Sequence, residues 1–210
     1  VGCGVKPQHI DMEPMHFEVV KDGEKATLET MDPAVLFREA GEAFKKEDYD
    51  TAARKYGLIV EHFGDGRYGV VSRFNGALSL ERAGRYEEAI VLYESAAKRT
   101  SGSKDAHDAI FRIATCAERL ERWQEAADAL TRVLAPEWKG IVSLDRLEAF
   151  ARRGSARHAL GDLARAERDY KSALATYKDD IGNPAMTGNR WVSLSQFQVG
   201  EIYRELFSAI

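Results

Sequence analysis

Gly84-Arg85-Tyr86-Glu87-Glu88-Ala89 recurs in altered form three more times: as Glu47-Asp48-Tyr49-Asp50-Thr51-Ala52, as Glu121-Arg122-Trp123-Gln124-Glu125-Ala126, and as Gly161-Asp162-Leu163-Ala164-Arg165-Ala166. Each copy ends on alanine. Four residues on stand Tyr56, Tyr93, Leu130 and Tyr170, and three beyond those stand Ile59, Ala96, Val133 and Ala173. Offsets of three and four place side chains on one face of an α-helix, so each alanine opens the apolar stripe of a helix. Some 11 or 12 residues upstream lies a small residue: Gly41, Ala77, Ala114 and Gly154. A small side chain there lets two antiparallel helices come close, and each copy reads as helix, tight turn, helix. Gly200, with Tyr203 three residues on, offers the small position a fifth time.

The surrounding sequence agrees. No proline falls between Ala34 and Ala135, and proline breaks helix interiors. Asp32-Pro33 opens the helical part, with Asp as cap and Pro at the first helical position. Pro136 and Pro184 fall in the longest stretches between copies. The pattern predicts an all-α solenoid over residues 32–210, with four helix pairs and a final helix over 191–210. That last helix is either a cap or the start of a further pair. Residues 1–31 form a separate N-terminal tether. Within it, Phe17-Glu18-Val19-Val20 and Lys25-Ala26-Thr27-Leu28 flank Asp22-Gly23, a β-hairpin signal.

These residues resemble the tetratricopeptide repeat family, whose signature of large, small, aromatic and alanine positions spans about 34 residues. The matching positions are Phe37, Gly41, Phe44, Ala52 and Tyr56; Ala77, Leu80, Ala89 and Tyr93; Ala114, Ala126 and Leu130; and Phe150, Gly154, Ala166 and Tyr170. Two departures stand out. The alanines are spaced 37, 37 and 40 residues apart, longer than usual, and Arg157 sits where the family usually has an aromatic. The resemblance implies a right-handed superhelix whose first helices line a concave face that holds extended peptides or partner helices. It maps that face onto Arg38 and Glu42; Val71, Phe74, Leu78 and Glu81; Asp108, Phe111, Thr115 and Glu118; Glu148, Ala151 and Ser155; and Leu194, Phe197 and Glu201. Phe74, Phe111 and Phe197 recur at one repeat position. They read either as an aromatic strip with an acidic border, suited to an apolar or basic segment, or as packing between repeats. The basic, Asn-rich clamp of chaperone-binding members has no counterpart, which disfavours docking of a chaperone C-terminus. Long, degenerate repeats are also similar to those of bacterial envelope lipoproteins, such as BamD-type assembly factors, pilotins and myxobacterial gliding-motility lipoproteins.

Composition narrows the function classes. Of 210 residues, 30 are Lys or Arg and 34 are Asp or Glu, a net charge of −4. A nucleic-acid binder would show a basic footprint. No stretch approaches the roughly 18 apolar residues of a spanning helix. Two cysteines rule out a disulfide framework and a four-Cys zinc site. Cys116, beside Ala114, reads as an inert core thiol. Cys3 is different. Val1-Gly2-Cys3-Gly4 is similar to the end of a bacterial lipobox, with a leader expected upstream of Val1 and lipid on Cys3. The expected location is then the periplasmic face of the outer membrane, with membrane contact only through that anchor.

Other motifs lead nowhere chemical. His9, His16, His62, His107 and His158 show no metal-ligand spacing and read as surface or partly satisfied groups. Glu87-Glu88 suits a helix start, and Asp179-Asp180 a helix end. Gly64-Asp65-Gly66-Arg67-Tyr68-Gly69 spells G-x-G-x-x-G after Leu58-Ile59-Val60, the pattern of a dinucleotide loop. Here Tyr56 and Ile59 already belong to a repeat helix, so it reads as a helix stop and an inter-repeat loop. The expectation is a non-enzymatic protein-interaction scaffold of an envelope machine (outer-membrane assembly, secretion, pilus or gliding motility), with protein partners and no cofactor, metal or catalytic residue. A soluble cytoplasmic adaptor is the alternative, and a nucleotide-binding enzyme using Gly64–Gly69 a remote one.

Overall fold

The computed structural model describes residues 16–22, 25–136, 138 and 141–208. Strands β1 (His16–Asp22) and β2 (Lys25–Met31) pair antiparallel, with Asp22 opposite Lys25. Nine α-helices follow among the described residues: α1 (Pro33–Lys45), α2 (Tyr49–Phe63), α3 (Arg67–Arg82), α4 (Tyr86–Arg99), α5 (Lys104–Arg119), α6 (Trp123–Val133), α7 (Ser143–Ala159), α8 (Leu163–Asp179) and α9 (Arg190–Ser208). A short 3-10 turn, Pro184–Met186, precedes α9. Each helix packs mainly on its neighbours in sequence, while α1 also meets α3 and α7 also meets α9. The result is a tetratricopeptide-like right-handed solenoid of four pairs and one further helix.

Local sequence sets each boundary. Asp32 accepts the Ala34 N–H at 2.8 Å ahead of Pro33, and Asp48, Ser103 and Asp162 cap α2, α5 and α8 in the same manner. Inside each pair the turn repeats one geometry. The N–H groups of Asp48, Arg85, Arg122 and Asp162 donate to the carbonyls of Ala43, Leu80, Ala117 and Arg157 at 2.9–3.0 Å. This ties off the first helix in the Schellman manner. The residue before each donor is left-handed: Glu47 at φ 62°, Gly84 at 78°, Glu121 at 56° and Gly161 at 77°. Two of the four are therefore glutamates in a conformation that disfavours side chains. Glu121→Gly is expected to stabilise the chain by about 1 kcal/mol, read as a higher urea midpoint; Gly84→Glu is expected to do the reverse.

The alanine columns form the seam. Ala52, Ala89, Ala126 and Ala166 are fully buried, and Tyr56, Tyr93, Leu130 and Tyr170 pack beside them. The facing small position needs a correction in the first pair. Twelve residues before Ala52 is Ala40, which is fully buried, whereas a Cβ on Gly41 would meet only the Tyr56 hydroxyl at 3.8 Å. Gly154 is the tight case, since its added Cβ would lie 2.8 Å from the Tyr170 ring. Gly200 is open, because among the described residues no second helix follows α9.

The dinucleotide alternative fails on the fold. Leu58-Ile59-Val60 lies inside α2, not in a strand. Gly64 ends α2, Gly66 opens α3, and Gly69 lies within α3 where it crosses the end of α2.

Candidate functional site

Along the first helices, one column carries Arg38, Asn75, Arg112 and Arg152, each two residues before a buried small residue. Superhelical stacking brings Arg112 and Arg152 onto the preceding repeat. Arg112 donates to Glu81 at 3.0 Å, and the Tyr93 hydroxyl donates to the same carboxylate at 2.8 Å. Arg152 grips Glu118 through Nε and Nη2 at 2.9 and 3.0 Å. It also reaches Glu148 at 3.1 Å and the Thr115 hydroxyl at 2.9 Å. The Trp191 indole N–H closes the network on Glu148 at 3.1 Å. Burial and the neighbouring Glu81 push the Tyr93 phenol up, so it stays a donor.

This arrangement redistributes the expected groove residues. Glu81, Glu118 and Glu148 are paired from within. Asp108 pairs with Lys104 at 2.7 Å, and Glu201 with Arg204. The acidic border is thus a ladder of ion pairs. Phe74 packs edge-on against Tyr93 with ring centroids 5.4 Å apart, and Phe111 lies beneath the Arg152 guanidinium at 5.1 Å. Both rings are half-buried against the core, and Leu78 is half-buried too. Val71, 48% exposed, and Phe197, 61% exposed, are the open apolar positions. Between α5, α7 and α9 the surface sinks into a pocket of about 450 Å³, lined by Thr115, Glu118, Arg119, Glu148, Arg152 and Trp191.

Arg152 organises this site. Its side chain is buried, while the two carboxylates it holds are under one-third exposed. Arg152→Ala would leave both acids facing each other without their cation, and is expected to cost about 2 kcal/mol. Arg152→Lys is expected to recover only part, because an ammonium cannot reproduce the fork. Urea unfolding of the three proteins checks the order.

Other expected groups are placed as follows. Cys116 is buried, and burial pushes its thiol up to about 12, so it carries little thiolate. His107 is not a surface residue: it is buried between Phe111 and Trp138, with ring centroids 5.8 and 5.5 Å away. His158 faces Glu205 at 3.4 Å. Cys3 lies outside the described residues. Among the described residues, no three His, Cys, Asp or Glu side chains are grouped to hold a metal ion. No helix among them is long and apolar enough to cross a membrane.

The fold is that of helical-repeat solenoids of tetratricopeptide type. Residues 74–140, from α3 through α6 into the following connection, match the family described as Tetratricopeptide repeat. No curated protein matches the sequence. Among solved structures, the MamA protein is 16% identical with a TM-score of 0.61, over 82% of this chain and 81% of that one. A putative kinesin light chain repeat protein of Podosopora anserina is 17% identical with a TM-score of 0.62, over 83% and 88%. The first repeat domain of Spaghetti (RPAP3), bound to an HSP90 peptide, is 20% identical with a TM-score of 0.50, over 65% and 92%.

Proposed function

We propose that this chain is a protein-interaction scaffold whose first-helix face holds a segment of a partner protein. The observation that carries this is the internally paired ladder of Glu81, Arg112, Glu118, Arg152 and Glu148 along helices that also carry the exposed apolar Val71 and Phe197. Charges already paired need no reorganisation when a partner arrives, and a pre-formed surface loses little freedom on binding. The first repeat domain of Spaghetti (RPAP3) is bound to an HSP90 peptide, and its similar fold supports this reading. We further propose that the scaffold serves a bacterial envelope machine as a periplasm-facing lipoprotein, on the strength of Val1-Gly2-Cys3-Gly4.

The two parts separate experimentally. Val71→Asp combined with Phe197→Asp alters two exposed apolar groove candidates and is expected to leave the thermal midpoint unchanged while abolishing co-purification of partners. Retention of the same partners by this variant overturns the groove reading. Metabolic labelling with palmitate is expected to mark the wild-type chain and to vanish with Cys3→Ser. Equal labelling of both, or of neither, overturns the anchor.

A further inference from the structure

The pocket of about 450 Å³ between α5, α7 and α9 has an uneven polar lining. Its acceptors are already engaged. The two carboxylate oxygens of Glu118 accept from Arg152 Nε and Nη2, and those of Glu148 accept from Arg152 Nη1 and the Trp191 indole N–H. The Thr115 hydroxyl accepts from Arg152 and donates to the Phe111 carbonyl. The Ser155 hydroxyl accepts from Tyr170 and donates to the Ala151 carbonyl. The donors are not all engaged. Arg119, the last residue of α5, and Arg190, the first of α9, line the same pocket. Both are exposed, so a ligand can reach them. Among the described residues, neither guanidinium has a hydrogen bond or an ion pair.

The charges lean the same way. Three cations, Arg119, Arg152 and Arg190, line the pocket against two anions, Glu118 and Glu148. Arg152 answers both anions, so the surplus positive charge sits on Arg119 and Arg190. The whole chain carries a net charge of −4, so this surplus is local and not part of a generally basic surface. Arg190 is also positioned. Its guanidinium stacks on the Trp191 ring at 4.3 Å, and Trp191 is fixed in turn by its bond to Glu148. A stacked guanidinium keeps its N–H edge free for a carboxylate and loses little freedom when one arrives. The acidic border expected from the sequence thus changes sign here: its carboxylates are spent within the fold, and what it presents to a partner is cationic.

We infer that this pocket takes acidic side chains of the bound partner segment, with glutamate or aspartate carboxylates accepting from Arg190 and Arg119. The two arginines stand on opposite sides of α7, so a segment running across the first helices meets both, each with its own side chain. That a partner segment lies there rests on the groove reading; the preference for carboxylates rests on the pocket's own groups. The test uses the whole chain and Nα-acetyl-tetraglutamate amide, whose carboxylates are all on side chains, followed through the indole NMR signals of Trp123 and Trp191. Nα-acetyl-tetraglutamine amide is the uncharged control, and Nα-acetyl-tetra-alanine with a free C-terminus represents a chain end. The glutamate peptide is expected to give saturable shifts. Affinity is expected to fall about tenfold or more for the glutamine peptide, and for the glutamate peptide on the double variant Arg119→Gln, Arg190→Gln. Arg168→Gln, which removes an exposed arginine of α8 outside the pocket, is expected to leave affinity unchanged.

Neither Arg119 nor Arg190 is buried or paired, so the double variant is expected to keep the wild-type thermal midpoint, which separates lost binding from lost fold. The inference is overturned by the absence of saturable shifts, by equal binding of the glutamine peptide, by undiminished binding to the double variant, or by an equal loss with Arg168→Gln. Tighter binding of the alanine peptide overturns it too, by assigning the pocket to a chain terminus. Because the peptides replace the partner, their failure leaves the groove reading to the Val71→Asp and Phe197→Asp experiment.

Discussion

Gly69→Ala is expected to cost about 3 kcal/mol, at the upper end of overpacking, and to lower the thermal midpoint by roughly 6–12 °C. An added Cβ would lie 2.2 Å from the Phe63 carbonyl oxygen and 2.6 and 2.7 Å from the Gly64 Cα and carbonyl carbon. These are backbone atoms in the last turn of α2, so no rotamer change relieves the clash. Relief requires α3 to move off α2, and the Arg73 guanidinium holds that crossing closed by donating to the Gly64 and Gly69 carbonyls. Its cation there also complements the C-terminal end of α2. Gly57→Ala is the control. It lies in α2 with nothing within 4 Å of its added Cβ, and is expected to gain about 0.5–1 kcal/mol from helix propensity. Circular dichroism melts of the two variants would therefore shift in opposite directions. Equal midpoints would show that the crossing is looser than these distances require.

The same residues show why G-x-G-x-x-G misleads as a motif. The third glycine of a dinucleotide loop admits close packing of helix on strand. Here Gly69 admits close packing of helix on helix, so one steric demand writes one pattern in two folds. The decisive context is Leu58-Ile59-Val60, whose apolar run is compatible with either element until Tyr56 and Ile59 are placed in a repeat column. Periodicity settles such ambiguity only when several copies are registered.

Register made the seam legible and also limited it. Ala52, Ala89, Ala126 and Ala166 with their following tyrosines or leucine fixed the second helices. In the first pair Gly41 is the more conspicuous small residue, but its spacing of 11 from Ala52, against 12 elsewhere, marks it as one place past the buried Ala40. The acidic groove positions were also legible, but not their neutralisation. Glu81 meets Arg112 across 31 residues and Glu118 meets Arg152 across 34. Partners one repeat apart become neighbours only through the stacking of repeats, which no local pattern encodes. The one visible trace was the column Arg38, Asn75, Arg112 and Arg152. His107 was illegible for a similar reason: Trp138, from the connection after α6, covers it.

Asp169→Ala is expected to cost about 3–5 kcal/mol, the range for removing one partner from a buried ion cluster. Asp169 has only 4% of its side chain exposed and accepts from Arg153 at 3.0 and 2.7 Å and from Arg157 at 2.6 Å. Without it, two largely buried guanidiniums face each other. Burial already holds the Arg157 guanidinium below its usual range, against the favourable field of Asp169. The departure from the repeat pattern at Arg157 is therefore tolerated because Asp169 answers it. The other units show what these columns hold when no charge is present. The columns of Arg153, Arg157 and Asp169 carry Ile113, Ala117 and Ala129 in the third unit, and Gly76, Leu80 and Leu92 in the second. In the first unit, Glu39 and Lys55 occupy the columns of Arg153 and Asp169 with the charges reversed, 2.7 Å apart.

Charge in these columns thus comes with an opposite charge in contact or not at all, as expected where desolvation roughly cancels attraction. It follows that the combined variant Arg153→Ile, Arg157→Ala, Asp169→Ala, which copies the third unit, is expected to lie within about 1 kcal/mol of wild type, while Asp169→Ala alone is severely destabilised. Urea unfolding of the single and combined variants measures the difference. A combined variant as unstable as the single one would mean that the cluster contributes net stability, and that the charges hold the fourth pair together rather than merely compensating one another.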